Sequence, residues 1–379
     1  MSFLKKLRKK SIDIAVIAVG DAACIIGAKF IQNLKENKIN VKSLAVNTKN
    51  NFGSKISDPY NDKFWFAEQY SSTNRNLEFA RKLLEERKEV LTDKLRNVVF
   101  YRLDDKKRKE KLALHLIIAS GGGTGSAGSM IISKIIKDIT GESPTIIFIV
   151  PEKHEPSIVQ YNTATALFYL GFDSLGPNCP TILFDNEKLI SVDETLDIKK
   201  ALDYCNNYLA DTLSTTILAA LQESSHEEFN AGLNDFFKSF SSEAKGIGVI
   251  ISVDKTFESL EKAQNIRFSD IFFKELELTS SLTADITKAR LGFLSIIAPH
   301  SYQTTFETKK IVKRFEKGSI KVSLTALEEP ILLIRGVITG LHPDFIERFW
   351  DIFERARDSR KEILILEEQI RNMKLVFSN

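Results

Sequence analysis

The chain has little cysteine: Cys24, Cys179 and Cys205 are its three, widely separated along 379 residues. With no paired spacing among them, a disulfide framework and a cysteine-based zinc site are excluded. Long apolar runs are missing too; no stretch approaches the roughly 20 residues that a membrane span needs. No secretory leader is recognised before Ile12. An excess of one charge is also absent, since 53 Lys and Arg stand against 50 Asp and Glu for a net +3. That is too little to imply nucleic acid as a partner. Tryptophan is limited to 2 residues, while 26 phenylalanines are on hand to fill a core. No internal repeat or low-complexity tract is visible. What remains is 43% hydrophobic and 27% charged, enough for a sizeable core in two domains and suited to a reducing, cytoplasmic setting.

Glycine is concentrated where it does occur. Residues 121–128 read Gly-Gly-Gly-Thr-Gly-Ser-Ala-Gly, after the apolar run Leu114-His115-Leu116-Ile117-Ile118-Ala119 and before Met130-Ile131-Ile132. A buried strand therefore ends in a glycine turn that opens into a helix. Gly121, Gly122, Gly123 and Gly125 are expected to adopt torsions closed to other residues. Their amides, with the hydroxyls of Thr124 and Ser126, can converge on an anion at the positive end of the helix. The lysine of a P-loop is absent. The spacing also differs from the dinucleotide fingerprint, which sits after the first strand.

Apolar periodicity predicts strands at 12–19, 42–47, 112–119, 145–150 and 180–184, with helices at 24–34, 76–95 and 126–138. This alternation implies a parallel sheet with helices on both faces and a ligand at the carboxyl ends of its strands. A helical pattern free of Pro and Gly runs from Ile198 to Leu221, and a polar loop, 224–234, follows. Further strands are expected at 246–253, 291–298 and 330–337. The fold class is thus α/β, with four parts: a Rossmann-like nucleotide domain (1–195), a central helix (196–221), a second α+β domain (222–342) and C-terminal helices (343–379). The basic segment 1–10, interleaved with Phe3, Leu4 and Leu7, reads as a solvated or docked helix or as a membrane-surface one.

These segments, in this order, resemble the tubulin/FtsZ superfamily, including the TubZ-type filament proteins, over about residues 12–240. Gly-Gly-Gly-Thr-Gly-Ser (121–126) matches its phosphate loop. Gly20-Asp21-Ala22-Ala23-Cys24 is similar to the first nucleotide loop, and Ala45-Val46-Asn47-Thr48 to the end of the second strand. Asn76-Leu77-Glu78-Phe79-Ala80-Arg81-Lys82 resembles the FtsZ segment that follows the γ-phosphate loop, and Phe184-Asp185-Asn186-Glu187 the sugar-and-base loop. Asn206 stands where the central helix presents an asparagine to guanine, between Tyr204 and Tyr208. Phe229-Asn230-Ala231-Gly232-Leu233-Asn234-Asp235 is similar to the loop that enters the next subunit's pocket.

The resemblance implies GTP or GDP bound with Mg²⁺ by Gly20, Asp21, Ala22, Asn47, Gly121, Gly122, Gly123, Thr124, Gly125, Ser126, Glu155, Asn186 and Asn206. Asn186 and Asn206 each carry donors and an acceptor, as the guanine edge requires. Asp235 would be the catalytic acid, orienting or deprotonating a water; as a lone Asp in a polar loop it would instead be solvated or cap a helix. The implied partner is a second copy stacked head to tail, with an adaptor at the C-terminal helices and no nucleic acid or membrane span. Departures accompany the match. Asp21 stands where tubulins have Gln, and an acid beside phosphates suggests Mg²⁺. Ile25 replaces a polar residue, Ser71-Ser72-Thr73-Asn74 lacks expected glycines, and Gly232 replaces an acid. Two other functions therefore compete with a self-assembling GTPase. One is a nucleotide-bound scaffold with little hydrolysis. The other, a Rossmann oxidoreductase, needs an acid at the end of the second strand, where Asn47-Thr48 stands.

Overall fold

Strands buried on both faces and rich in Ile, Val and Leu form the centre of this protein, as a parallel sheet covered by helices requires. The computed structural model describes residues 12–49, 59–70, 72–100, 113–190, 198–222, 224–241, 243–315, 318–357 and 362–372. The N-terminal segment 1–10, Ser71 and residues 373–379 lie outside them. In the first half β1 (Asp13–Val19), α1 (Asp21–Glu36), β2 (Asn40–Asn47), β3 (Asp62–Trp65), α2 (Leu77–Glu86), α3 (Lys88–Val98), β4 (Ala113–Ser120), α4 (Gly123–Thr140), β5 (Thr145–Val150), α5 (Ser157–Gly171) and β6 (Thr181–Asp185) follow one another. The short α6 (Asn186–Ile190) and the long α7 (Ile198–Ala220) lead to α8 (Leu233–Ser239), β7 (Ile247–Thr256), α9 (Leu260–Gln264), α10 (Phe268–Thr279) and β8 (Leu291–Pro299). Then come α11 (Tyr302–Lys313), β9 (Ser319–Leu327), β10 (Ile331–Leu341), α12 (Glu347–Arg357) and α13 (Glu362–Asn372).

The α/β class holds, and all ten described strands join one sheet in the order β3-β2-β1-β4-β5-β6-β7-β10-β8-β9. From β3 to β6 every pairing is parallel, with β1 between β2 and β4 in the register Val16↔Ser43 and Val16↔Leu116. The seam to the second half is short: β6 meets β7 at Thr181↔Ile247 and Ile182↔Gly248. Beyond it β10 runs antiparallel to both β7 and β8. Side chains alternate across the sheet. Ile14 and Val16 pack in one cluster with α1, α7 and α8, while Ala15 and Ile17 pack in the other with α2, α4 and α5. On α7 the row Cys205, Leu209, Leu213, Ile217 faces the sheet at intervals of four. It joins one cluster that reaches from Ile14 to Phe293 and Val337. No described helix is long and apolar enough to cross a membrane.

Three expectations change. The helix expected at 76–95 is two, α2 and α3, broken at Arg87 (φ −115°, ψ 19°). The polar loop 224–234 is stitched to β9, with Ser225 and Ala231 N–H donating to Leu324 and Val322 carbonyls. Helix α4 starts at Gly123 rather than 126, so Gly123 and Gly125 lie in its first turn and Gly122 precedes it.

Candidate functional site

The carboxyl ends of β1, β2, β4, β5 and β6 open onto a cleft of about 660 Å³. At one end of it two helices start on glycine. Gly20 precedes α1 and Gly122 precedes α4, and neither helix has a side-chain cap. The neighbouring α2 is capped normally, Asn76 accepting the Phe79 N–H at 2.9 Å. With no side chain capping them, the first turns of α1 and α4 suit an acceptor from outside the chain, and an anion fits the positive helix ends.

The glycines act by closeness more than by torsion. Among the glycines of the site Gly20 alone has positive φ, at 90°, and its N–H donates to the Val46 carbonyl at 2.9 Å. The torsional role expected of Gly121, Gly122, Gly123 and Gly125 is corrected, because none of them is left-handed. A Cβ on Gly125 would instead sit 2.3 Å from the Ser120 carbonyl oxygen, and one on Gly121 2.2 Å from Thr163 Oγ1. A Cβ on Gly123 would lie 2.8 Å from Thr73 Oγ1 and 2.9 Å from the Asn76 backbone, while Gly122 faces open space. Bare backbone thus lets the loop pack against β4, α5 and the 73–76 segment at once.

Most of the expected residues meet here. Gly20, Asp21, Ala22, Asn47, Gly121, Gly122, Gly123, Thr124, Gly125, Glu155 and Asn186 all line the cleft. Asp21 is the first residue of α1, and its carboxylate accepts from Asn47 Nδ2 at 2.6 Å. Asn47 Oδ1 in turn accepts the Thr48 N–H at 2.8 Å, so the amide at the end of β2 orients the acid. Thr124 Oγ1 lies 3.3 Å from Thr73 Oγ1. Glu155 is half-buried, and that burial raises its carboxyl above the usual range although the Glu152 N–H and Arg75 oppose the rise. Asn186, which opens α6, and Leu202 of α7 line the same cleft as Ile149, Val150 and Val159.

Three residues fall elsewhere. Ser126 is fully buried inside the first turn of α4 and outside the lining. Asn206 lies one turn beyond Leu202 on α7, half-buried and also outside the lining. Beside it Tyr204 and Tyr208 stack with ring centroids 6.2 Å apart. Asp235 is on α8, and its Oδ2 accepts the Gly232 N–H at 3.0 Å. That helix ends at the opposite edge of the sheet: Thr145, the first residue of β5, donates its hydroxyl to the Phe240 carbonyl at 2.7 Å. The cleft borders the last residue of β5, Val150.

Sequence reasoning missed the wall made by Ser72, Thr73, Asn74 and Arg75, beyond noting its lost glycines, and it missed Leu202. It also missed a buried arginine behind the rim. Arg348 of α12, nearly all of it enclosed, sits 3.5 Å from Asp185 and 3.7 Å from Glu187, bonds Asp351 and donates to the Pro151 carbonyl. Burial raises the Asp185 carboxyl and Arg348 opposes the rise. Arg355 adds a bond to the Lys153 carbonyl at 3.3 Å. Helix α12 therefore holds both loops, 151–155 and 185–187, that form this end of the cleft. No pairing in the sequence announces it; only the fold brings Arg348 to Asp185.

No protein-family model matches the sequence, and no curated protein matches it. Solved structures do. CetZ2 from Haloferax volcanii, a GTPγS-bound protofilament, superposes with a TM-score of 0.71 at 15% identity over 92% of this chain and 98% of that one. A GTPγS-form protofilament of TubZ from Bacillus thuringiensis serovar israelensis gives 0.69 at 12% identity over 98% of both chains. An empty FtsZ dimer from M. jannaschii gives 0.63 at 17% identity over 93% of both. Likeness at this low identity and near-complete coverage establishes architecture, and by that measure the chain has the tubulin/FtsZ fold.

Proposed function

We propose that this chain binds GTP in the cleft, stacks head to tail and hydrolyses the nucleotide between subunits. The observation that carries the reading is a separation. Uncapped helix starts open onto the cleft at the carboxyl ends of the strands, while α8, which carries Asp235, ends against Thr145 at the amino end of β5. Along β5, Thr145, which bonds the end of α8, stands roughly 17 Å from Val150 at the cleft, at about 3.3 Å per residue, and that separation supports an Asp235 that serves a cleft other than its own. In a head-to-tail stack it would reach the cleft of the next subunit. There it would orient or deprotonate a water whose oxygen bonds the γ-phosphorus as the β–γ bridging bond breaks, leaving GDP and inorganic phosphate. Neighbours in fold that are protofilaments with GTPγS support the same reading.

The residues also fit magnesium arriving with the nucleotide. Asp21 offers one carboxylate at the mouth of the phosphate loop, and Mg²⁺ is usually held by one or two carboxylates plus phosphate oxygens and water. Among the described residues no cluster of three or more His, Cys, Asp or Glu could hold a metal without it. Bound there, the ion would neutralise charge on the phosphates. Asn186 supports recognition of guanine by its paired donor and acceptor. The C-terminal helices have a structural task of their own, since α12 is docked on α5 and ties the cleft rim.

The scaffold reading keeps one observation in its favour: the carboxylate of Asp235 is engaged with the Gly232 N–H. Phosphate release measured across a protein concentration series, with polymer pelleting, separates the two. Turnover per subunit rises with concentration if hydrolysis needs the interface. Flat specific activity overturns the interfacial mechanism, and polymer with no phosphate release leaves the scaffold.

A further inference from the structure

The wall opposite the phosphate loop carries two adjacent left-handed residues that are not glycine, Asn74 at φ 50° and Arg75 at φ 59°. Such torsions are costly for residues with a side chain and persist where the surroundings impose them. Here they do. Asn162, wholly buried on α5, donates Nδ2 to the Arg75 carbonyl at 2.8 Å. Ser72 Oγ donates to Asn74 Oδ1 at 2.8 Å and accepts the Asn74 N–H at 3.1 Å. The Asn76 N–H donates to the Thr73 carbonyl at 2.9 Å and starts α2 directly afterwards. The segment is also pressed against the phosphate loop, since Gly123 leaves no room for a Cβ beside Thr73 and Asn76. A backbone fixed this firmly fixes where the Arg75 side chain starts.

That side chain stands alone in charge. Among the described residues lining the cleft, Arg75 is the only cation, and Asp21 and Glu155 are the only acids. Its surface is exposed, and its guanidinium has no hydrogen bond or ion pair among the described residues. Main-chain amides of α1 and α4 supply neutral donors to the site; the cation that a terminal phosphate would want comes from this wall alone. A guanidinium can meet a phosphate with two parallel N–H donors.

Resting on the GTP-binding reading above, we propose that Arg75 contacts the terminal phosphate of the chain's own nucleotide and makes the site discriminate triphosphate from diphosphate. GDP, which ends one phosphate short, would be held by the α1 and α4 amides without it.

The test is titration calorimetry with GTP and with GDP, plus magnesium, on the full chain below its assembly concentration. The variants are Arg75→Gly and Arg75→Lys. Glycine keeps the left-handed backbone without strain, and thermal denaturation checks that each variant folds. The expected result for Arg75→Gly is a GTP affinity lower by about tenfold to a hundredfold, the range for a hydrogen-bonded charge, with GDP affinity within about twofold. Arg75→Lys falls between. Equal losses for both nucleotides, or no loss in Arg75→Gly, would overturn the proposal. If the unmodified chain binds neither nucleotide, the proposed function itself fails and this inference fails with it.

Discussion

Substituting Asp235 separates two jobs that one carboxylate could have. As a cap, it accepts the Gly232 N–H at 3.0 Å and helps to start the seven-residue α8. Losing that hydrogen bond costs about 0.5–1.5 kcal/mol, a shift in melting temperature of roughly 2–4 °C per kcal/mol in a large domain. As a base, its loss should slow hydrolysis by about 10²–10⁴-fold, far beyond what a frayed helix turn would cause. Asp235→Asn keeps an oxygen for the Gly232 N–H and discards the charge; Asp235→Ala discards both. The expected outcome is that both variants bind GTP and pellet as polymer, that both lose phosphate release by a similar factor, and that only Asp235→Ala melts lower. Malachite-green phosphate release at fixed polymer mass, alongside thermal melts, reads all three quantities. Hydrolysis by Asp235→Asn at the unmodified rate would refute the reasoning, because the carboxylate would then be only a cap.

Two other expectations come from the site's packing. Gly125→Ala should weaken nucleotide binding and cost about 1–3 kcal/mol of stability, since its Cβ meets the Ser120 carbonyl at 2.3 Å; Gly122→Ala, in open space at φ −66°, should melt like the unmodified chain. Arg348→Ala should cost about 3–5 kcal/mol in denaturant titration by orphaning buried Asp185. Because burial already raises the Asp185 carboxyl and Arg348 opposes that rise, removing the arginine raises it further. The loss should then be greater at pH 8, where the carboxylate must stay charged, than at pH 5, where it can take up a proton.

Much of the first half of the chain could be read from local pattern. Strands β1, β2, β4 and β5 are runs of buried Ile, Val and Leu bounded by turn residues, and the glycine cluster marks where one of them ends. The elements that escaped did so for identifiable reasons. Helix α5 buries residues on every side, Val159, Tyr161, Thr163 and Ala164 among them, so it has no polar stripe to set a 3.6-residue period. Strand β3 has four residues and gains its place only by lying beside β2. The break between α2 and α3 falls in Glu85-Glu86-Arg87-Lys88, which holds neither Gly nor Pro. Strand β9 is the exception: Ile320, Val322 and Leu324 alternate inward, a period-two signal that was available.

The site divides along the same line, and the division explains which of its residues can be trusted to local reading. A phosphate loop is one contiguous piece of chain, and its strand, turn and helix can all be recognised together. Its neighbours are assembled from afar. Asn162 reaches Arg75 across 87 positions and Arg348 reaches Pro151 across 197, and neither member of either pair has a neighbour in sequence that hints at the other. The same holds for the boundary expected between residues 195 and 222. Composition changes there, yet α7 buries Leu209, Leu213 and Ile217 in one cluster that includes both Ile14 of β1 and Val337 of β10. Leu202 lies on the cleft wall at one end of this helix. A straight helix of 23 residues extends roughly 34 Å, so the group that touches the base end of the cleft belongs to the same rod that is packed against the second half of the sheet. Under the proposed function, any shift of Leu202 on nucleotide exchange is absorbed within α7 or passed to β7 and β10, and the row of side chains at intervals of four leaves little slack for the first.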